Sequence, residues 1–255
     1  MASTASVNEV YSRLKDLANK DQRGFITPAV FNNFASIAQR NVFNRLFNSL
    51  KQYKRLSKAG FDEGRDKSKR KQIQEDLSYF SYLEEPINVN TDGVFEKPDD
   101  LYRIISMTTY GSILLGQSTK TNIEIVYDEE KIDRILRSTL SAPSKEFPVA
   151  LVSNNIEVFP QTLKKISLRY YRQPGSVNTY SPFSRSSSQP YFSFTEAAGV
   201  ETYDASASRD FELPEHYTND LIIEIASMIG LTLKDAEIQS FFTNEETQRT
   251  QEQGF

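Results

Sequence analysis

The chain has no cysteine, no tryptophan and a single histidine among its 255 residues. Without cysteine there is no disulfide, which fits synthesis in a reducing compartment, and there is no thiolate nucleophile or metal ligand. The lone histidine, His216, leaves a metal ion with carboxylates only as further ligands. The same shortage removes Ser-His, Cys-His and His-metal mechanisms unless His216 serves alone. His216 therefore reads as an ordinary residue in the first turn of a helix, and no metal, cofactor or catalytic residue is expected. Long apolar runs are missing too. No stretch of ~18 apolar residues occurs, so no membrane span is expected. The opening MASTASVNEV lacks the basic-then-apolar pattern of a signal peptide, and no N-x-S/T sequon supports secretion.

What is present is unevenly placed. Residues 1–85 carry more Lys and Arg than Asp and Glu, and the remainder the reverse, within a net charge of −4. Such a basic front and acidic rear attract copies of the same chain or a charged partner, unless they are simply solvated surface.

The pattern along the chain predicts an α+β fold. N- and C-terminal helices form a helical bundle, with an antiparallel β domain embedded between them. The expected divisions are 1–85 for N-terminal helices with a basic arm and 86–175 for a β-rich domain with a short helix. An extended Ser/aromatic loop or arm takes 176–210, and C-terminal helices packing on the N-terminal ones take 211–255. Ser6-x-x-Glu9 has the form of a capping box, and Thr27-Pro28 marks a second helix start. Phe31, Phe34, Ala35, Ala38, Val42, Leu46, Leu50 and Tyr53 make an apolar stripe that runs this helix to about Lys58. Gly60 to Lys71 breaks the pattern and reads as an exposed, mobile arm or the frayed edge of a helix, with a short helix around Gln72–Leu83. Thr91-Asp92-Gly93 reads as a hairpin turn between Ile87–Asn90 and Val94–Glu96. Strands are expected at 101–110, 121–127, 148–152, 156–159 and 166–170, with Asp128 capping a short helix. Pro214 opens a helix that Gly230 is placed to stop, and Thr232 begins a last one.

Three features carry possible chemistry. Gly111 to Ser118, GSILLGQS, has the glycine spacing of a phosphate-binding loop, but Gln117 stands where the lysine is required; it reads as strand with glycines at its bends. The acid pairs Asp99-Asp100 and Glu84-Glu85 can be nominated for a carboxylate-dependent hydrolase, but adjacent acids are commonplace in such a composition, and without tryptophan there is no sugar-stacking platform. The basic run Arg65, Lys67, Lys69, Arg70 and Lys71 suits sequence-independent contact with DNA or an acidic partner. No reading helix or zinc pattern accompanies it. The Ser/aromatic stretch holds Tyr180, Phe183, Tyr191, Phe192 and Phe194, candidate residues of an intersubunit arm, because plain linkers are seldom so aromatic.

Three segments carry a resemblance. ANKDQRGFITPAVFNNFASIAQRNVFN (18–44) resembles the N-terminal helical pair of virion structural proteins in crAss-like and related gut phages. FPVALVSNNIEVFPQTLKKISLRYYRQPG (147–175) is similar to a strand-turn-strand segment ending in Y-x-R-x-P in connector and tail-adaptor proteins. FELPEHYTNDLIIEIASMIGLTLKDAEIQSFF (211–242) looks like the C-terminal helices after LP-E-x-Y in the same group. The resemblance implies a non-enzymatic virion subunit of a head-to-tail connector or tail-adaptor ring, commonly of twelve copies, made in the bacterial cytoplasm. Its implied partners are its own copies, the portal protein, adjacent tail or connector proteins and the packaged double-stranded DNA. A tail-tube or fibre-base subunit, and a non-specific DNA-binding module using 65–71, are the other readings.

Overall fold

The computed structural model describes residues 4–20, 26–58, 64–88, 93–114, 117–163, 165–175, 189–197 and 200–233. The chain is mixed α and β, with mostly antiparallel sheets, compatible with an α+β class. It divides into two compact units. One is Met1–Tyr79 with Ser187–Phe255, and the other is Phe80–Ser186.

The first unit holds α1 (Val7–Lys20), α2 (Pro28–Lys58), α3 (Gly64–Ser78) and α5 (Thr218–Leu233), with α5 preceded by a 3-10 turn at Glu215–Tyr217. At the start of α2 the Thr27 hydroxyl accepts from the Val30 N–H at 3.4 Å, with Pro28 in the first turn, where its missing N–H costs no bond. The first turn of α1 is held from a distance: Asp210 accepts the Val7 N–H at 2.9 Å. Glu9 instead turns forward to Arg13, 2.6 Å away, so it does not close a capping box. Along α2, Phe31, Ala35, Ala38, Val42, Phe43, Leu46, Phe47, Leu50 and Tyr53 are buried, as a 3.6-residue repeat requires. Part of that face packs on α5, where Glu224 accepts from Asn41 at 2.8 Å and from Arg45 at 2.5 Å. Gly230 does not stop α5; it is buried inside the helix, which runs on to Leu233. The last helix expected from Thr232 lies outside the described residues beyond Leu233.

Of the two readings of the basic run, arm or helix edge, the structure has the helix. The run forms the first half of α3, and the chain turns to strand immediately after Phe80, earlier than the expected boundary at 85. The Ser/aromatic stretch also differs from a loop. Residues 176–188 lie outside those described, but Phe194–Ala197 (β9) and Val200–Tyr203 (β10) pair as an antiparallel hairpin. Tyr191 and Arg209 exchange backbone bonds of 2.9 and 2.8 Å below it. The Asp204 carboxylate holds the following turn through the Ser206 N–H and hydroxyl. Local side-chain bonding of this kind is what Ser- and Asp-rich sequence supplies in place of a ladder.

The second unit contains β1 (Ser81–Asn88), β2 (Val94–Phe95), β3 (Leu101–Leu114), β4 (Gln117–Asn122) and β5 (Glu124–Val126). It continues through α4 (Glu129–Arg137), β6 (Val149–Val152), β7 (Ile156–Phe159) and β8 (Lys165–Arg172). The sheets have the orders β1-β8-β3-β4 and β2-β7-β6-β5, with only the β5–β6 pair parallel among the described strands. Ile104, Met107, Ile166, Leu168 and Tyr170 of the first sheet share one core with Ala150, Val152, Ile156 and Val158 of the second. Strand alternation thus puts one face of each sheet inside. Residues 89–92 of the expected hairpin lie outside the described residues; among the described ones β1 pairs with β8 and β2 with β7. Gly93 sits at φ +76°, its carbonyl accepting from the Val158 N–H at 2.8 Å. A Cβ there would lie 2.9 Å from the Val158 carbonyl oxygen, so glycine is required by both conformation and space. The glycine-spaced segment from 111 is the β3–β4 pair, with an irregular register between Tyr110 and Ile113.

Candidate functional site

The basic face of the first unit is built by two helices. α2 carries Arg40, Arg45, Lys51, Lys54, Arg55 and Lys58 and no Asp or Glu. Five residues separate its end from α3, so the helix ends lie at most ~22 Å apart, and α3 packs back on α2. Lys67 and Lys71 are exposed, whereas Lys69 and Arg70 are half-buried. Lys69 lines a shallow cleft with Ser49 and Tyr53 of α2, and with Tyr217. Lys71 stands 3.8 Å from Glu75, and Lys67 and Arg70 have interactions within the chain. Arg65 lies in the first turn of α3; its side chain lies outside the described set.

Of the candidate arm residues, Tyr180 and Phe183 lie outside the described residues. Tyr191 and Phe194 are on the surface, 49% and 38% exposed. Phe192 is not available to a neighbour. It is 4% exposed and stacks against Tyr11 at 4.2 Å, Tyr203 at 5.3 Å and Phe31 at 6.2 Å. This ring belongs to the chain's own core. An aromatic residue in a Ser-rich stretch carries no sequence mark that tells an anchor from a free contact.

A second feature joins α3 to the start of α5. Asp76, 6% exposed, accepts from the Tyr217 hydroxyl at 2.7 Å and lies 3.0 Å from His216 Nε2. Burial and the neighbouring Asp76 carboxylate push the Tyr217 phenol far above its ordinary pKa, so its hydroxyl stays a donor. Asp76 and His216 border a cleft of ≈ 530 Å³ that Glu9, Arg13 and Asn219 also line. Arg13 bonds to Asn219 at 3.3 Å, and the Thr218 hydroxyl donates to the Glu215 carbonyl at 2.6 Å. The polar atoms here bond to one another, which makes the cluster a clamp between α3 and α5. Among the described residues no group of three or more His, Asp or Glu is placed to hold a metal ion.

The acid pair Asp99-Asp100 is split by its surroundings. Asp100 is 5% exposed and accepts from the buried Tyr170 hydroxyl at 2.9 Å. Burial raises its pKa above the ordinary carboxylate range, against the opposing effect of the Tyr170 bond. Asp99 is exposed. Glu84 and Glu85 lie on β1; their side chains fall outside the described set.

The feature that sequence reading missed follows α4. Leu140 is 96% exposed, Phe147 75% and Tyr127 65%. The backbone that carries the first two is pinned by serine hydroxyls. Ser138 Oγ accepts from the N–H groups of Leu140 at 3.3 Å and Ser141 at 3.1 Å. Ser144 Oγ accepts from the Phe147 N–H at 3.1 Å, and the Ser144 N–H donates to the Phe147 carbonyl at 3.2 Å. The available signal was Leu140 and Phe147 standing in STLSAPSKEFP without periodic apolar partners.

No family model matches the chain, and no curated protein matches it either. Among the described residues, no helix is long and apolar enough to cross a membrane.

Proposed function

We propose that this chain is a non-enzymatic structural subunit of a virion, assembled as a ring of about twelve copies between portal and tail around the DNA channel. In that role the two helical stretches of the first unit act as one bundle, and the β unit is an embedded domain carrying contacts to neighbours. The placement at a connector comes from the resemblance of segments 18–44, 147–175 and 211–242. Its assembly character is carried by one observation: Leu140 and Phe147 are 96% and 75% exposed on serine-pinned turns. Large apolar side chains held out on fixed backbone lose little conformational freedom on docking, which makes them suited as contact anchors. The self-satisfied Asp76–His216–Tyr217 cluster supports a structural purpose for the lone histidine.

Replacing Leu140 with Asp and Phe147 with Ser tests the reading. The double variant should keep the melting temperature of the isolated chain and fail to enter virions in a complementation assay. Normal incorporation and normal infectivity of that variant would remove the observation on which the assembly reading rests.

A further inference from the structure

The two sheets of the second unit have unlike outer faces. On β6, Val149 and Leu151 turn away from the shared core and pack with Val126 and with Ile132 of α4, so α4 covers the outer side of the β2-β7-β6-β5 sheet. The β1-β8-β3-β4 sheet turns Leu168 and Tyr170 of β8 into the core. Alternation along β8 therefore puts Arg169 and Tyr171 on its outer face. Register sets Leu83 of β1 and Ser106 of β3 on either side of Arg169, and Ser81 and Arg103 on either side of Tyr171. These residues form one patch across three neighbouring strands. An antiparallel sheet that faces water is ordinarily polar on that side. This one carries Leu83, 44% exposed, and the half-buried Tyr171 beside two exposed arginines. Among the described residues, neither Arg103 nor Arg169 has an ion-pair partner.

The segment joining α4 to β6 carries the complement. Leu140 and Phe147 stand in solvent on pinned backbone, and Glu146, exposed beside Phe147, has no ion-pair partner among the described residues. Two apolar anchors with a carboxylate between them match a patch of leucine, tyrosine and two guanidinium groups, the residue types that interface centres concentrate. The chain does not make this contact with itself. Both sheets and their core lie between the α4 layer and the patch, and the anchors are exposed. A second copy can make it. We infer that the Leu140–Phe147 turn of one copy docks on the Leu83–Arg169–Tyr171 face of the next, with Glu146 meeting Arg103 and Arg169. Because the two surfaces belong to opposite layers of one unit, the contact is head-to-tail and repeats from copy to copy. The inference rests on the ring reading and names the surfaces through which such a ring closes.

The chain has no cysteine, so introduced thiols report on one contact at a time. Full-length chain carrying Lys145→Cys is mixed with full-length chain carrying Ser106→Cys, the two bearing tags of different size, and treated with a short bismaleimide. The mixture should give a cross-linked heterodimer well above the homodimers that either chain forms alone. Arg169→Glu in the Ser106→Cys chain should lower the heterodimer about tenfold, the low end for a close charge pair across an interface, and Glu146→Arg in the other chain should restore it. Leu140→Asp with Phe147→Ser should lower it too, while circular-dichroism melts of all variants match the parent's. A heterodimer no more abundant than that formed by Lys145→Cys with Lys131→Cys, a thiol on α4, overturns the proposal and leaves the patch to a different partner. So does equal cross-linking of the Ser106→Cys chain to itself, the mark of a face-to-face dimer, or a heterodimer indifferent to Arg169→Glu. Failure here does not remove the ring, which is judged by the position and number of copies in particles and would then close through other surfaces. Conversely, a cross-link formed by a chain found elsewhere would keep this contact and remove the ring.

Discussion

The carboxamide of Asn32 binds both backbone groups of Phe192, its Oδ1 accepting from the N–H at 2.8 Å and its Nδ2 donating to the carbonyl at 3.0 Å. One side chain of α2 thus holds a segment 160 residues away as a neighbouring strand would. It fixes the Phe192 ring over Tyr11, and with it the base of the β9–β10 hairpin. Replacing Asn32 with Ala strands both backbone groups and should cost about 1–3 kcal/mol in urea unfolding. Replacement by Asp, which keeps the acceptor, should cost less. Equal midpoints for parent and Ala variant would show that the pairing does not hold the segment.

The clamp at Asp76 predicts an order of effects. Tyr217→Phe removes a bond to a mostly buried carboxylate and should cost about 1.5–3 kcal/mol. His216→Ala should cost less, because the histidine side chain is 45% exposed and its pairing is screened by water. Urea melts of the two variants at one pH decide this, and the reverse order would contradict the assignment of Tyr217 as the principal partner.

Asp100 gives a pH signature. Its folded pKa lies above the ordinary carboxylate value of 3.8, so the folded state binds a proton that the unfolded chain releases first. Its contribution to stability is greatest below 3.8 and is lost as pH rises through the folded pKa. Asp100→Asn, which stays neutral, should therefore flatten this part of the stability profile on the mildly acidic side. Thermal melts in steps from pH ~3.5 to ~7 measure it; parallel profiles for parent and variant would deny Asp100 that role.

Much of the helical framework was legible because burial follows a 3.6-residue repeat, as along Phe31 to Tyr53, and because Thr27-Pro28 marks a start that geometry enforces. The strands of the second unit were legible from β-branched and aromatic runs. Pairing was not. Nothing local says that Val94 meets Glu157 rather than a residue of the preceding strand, since that choice depends on which core each sheet closes. The helical start of α3 was hidden by its polarity; with few apolar anchors, it carries no strong periodic signal. Gly230 misled because a helix accepts an interior glycine at a cost of only ~1 kcal/mol, which the rest of the helix can absorb. Of the candidate site, the cations at 65–71 were visible, but that they open a helix packed on α2 was not. Phe192 and Leu140 show the same limit from both sides. The aromatic expected at an interface is core, and the leucine that reads as filler stands in solvent.

The most direct test of the connector reading is electron cryomicroscopy of intact virions assembled in the presence of this chain, with its copies located and counted. A connector subunit gives a single closed ring of about twelve copies between portal and tail, coaxial with the DNA channel. Density for the chain in a tail tube or at a fibre base, or its absence from purified particles, would contradict it.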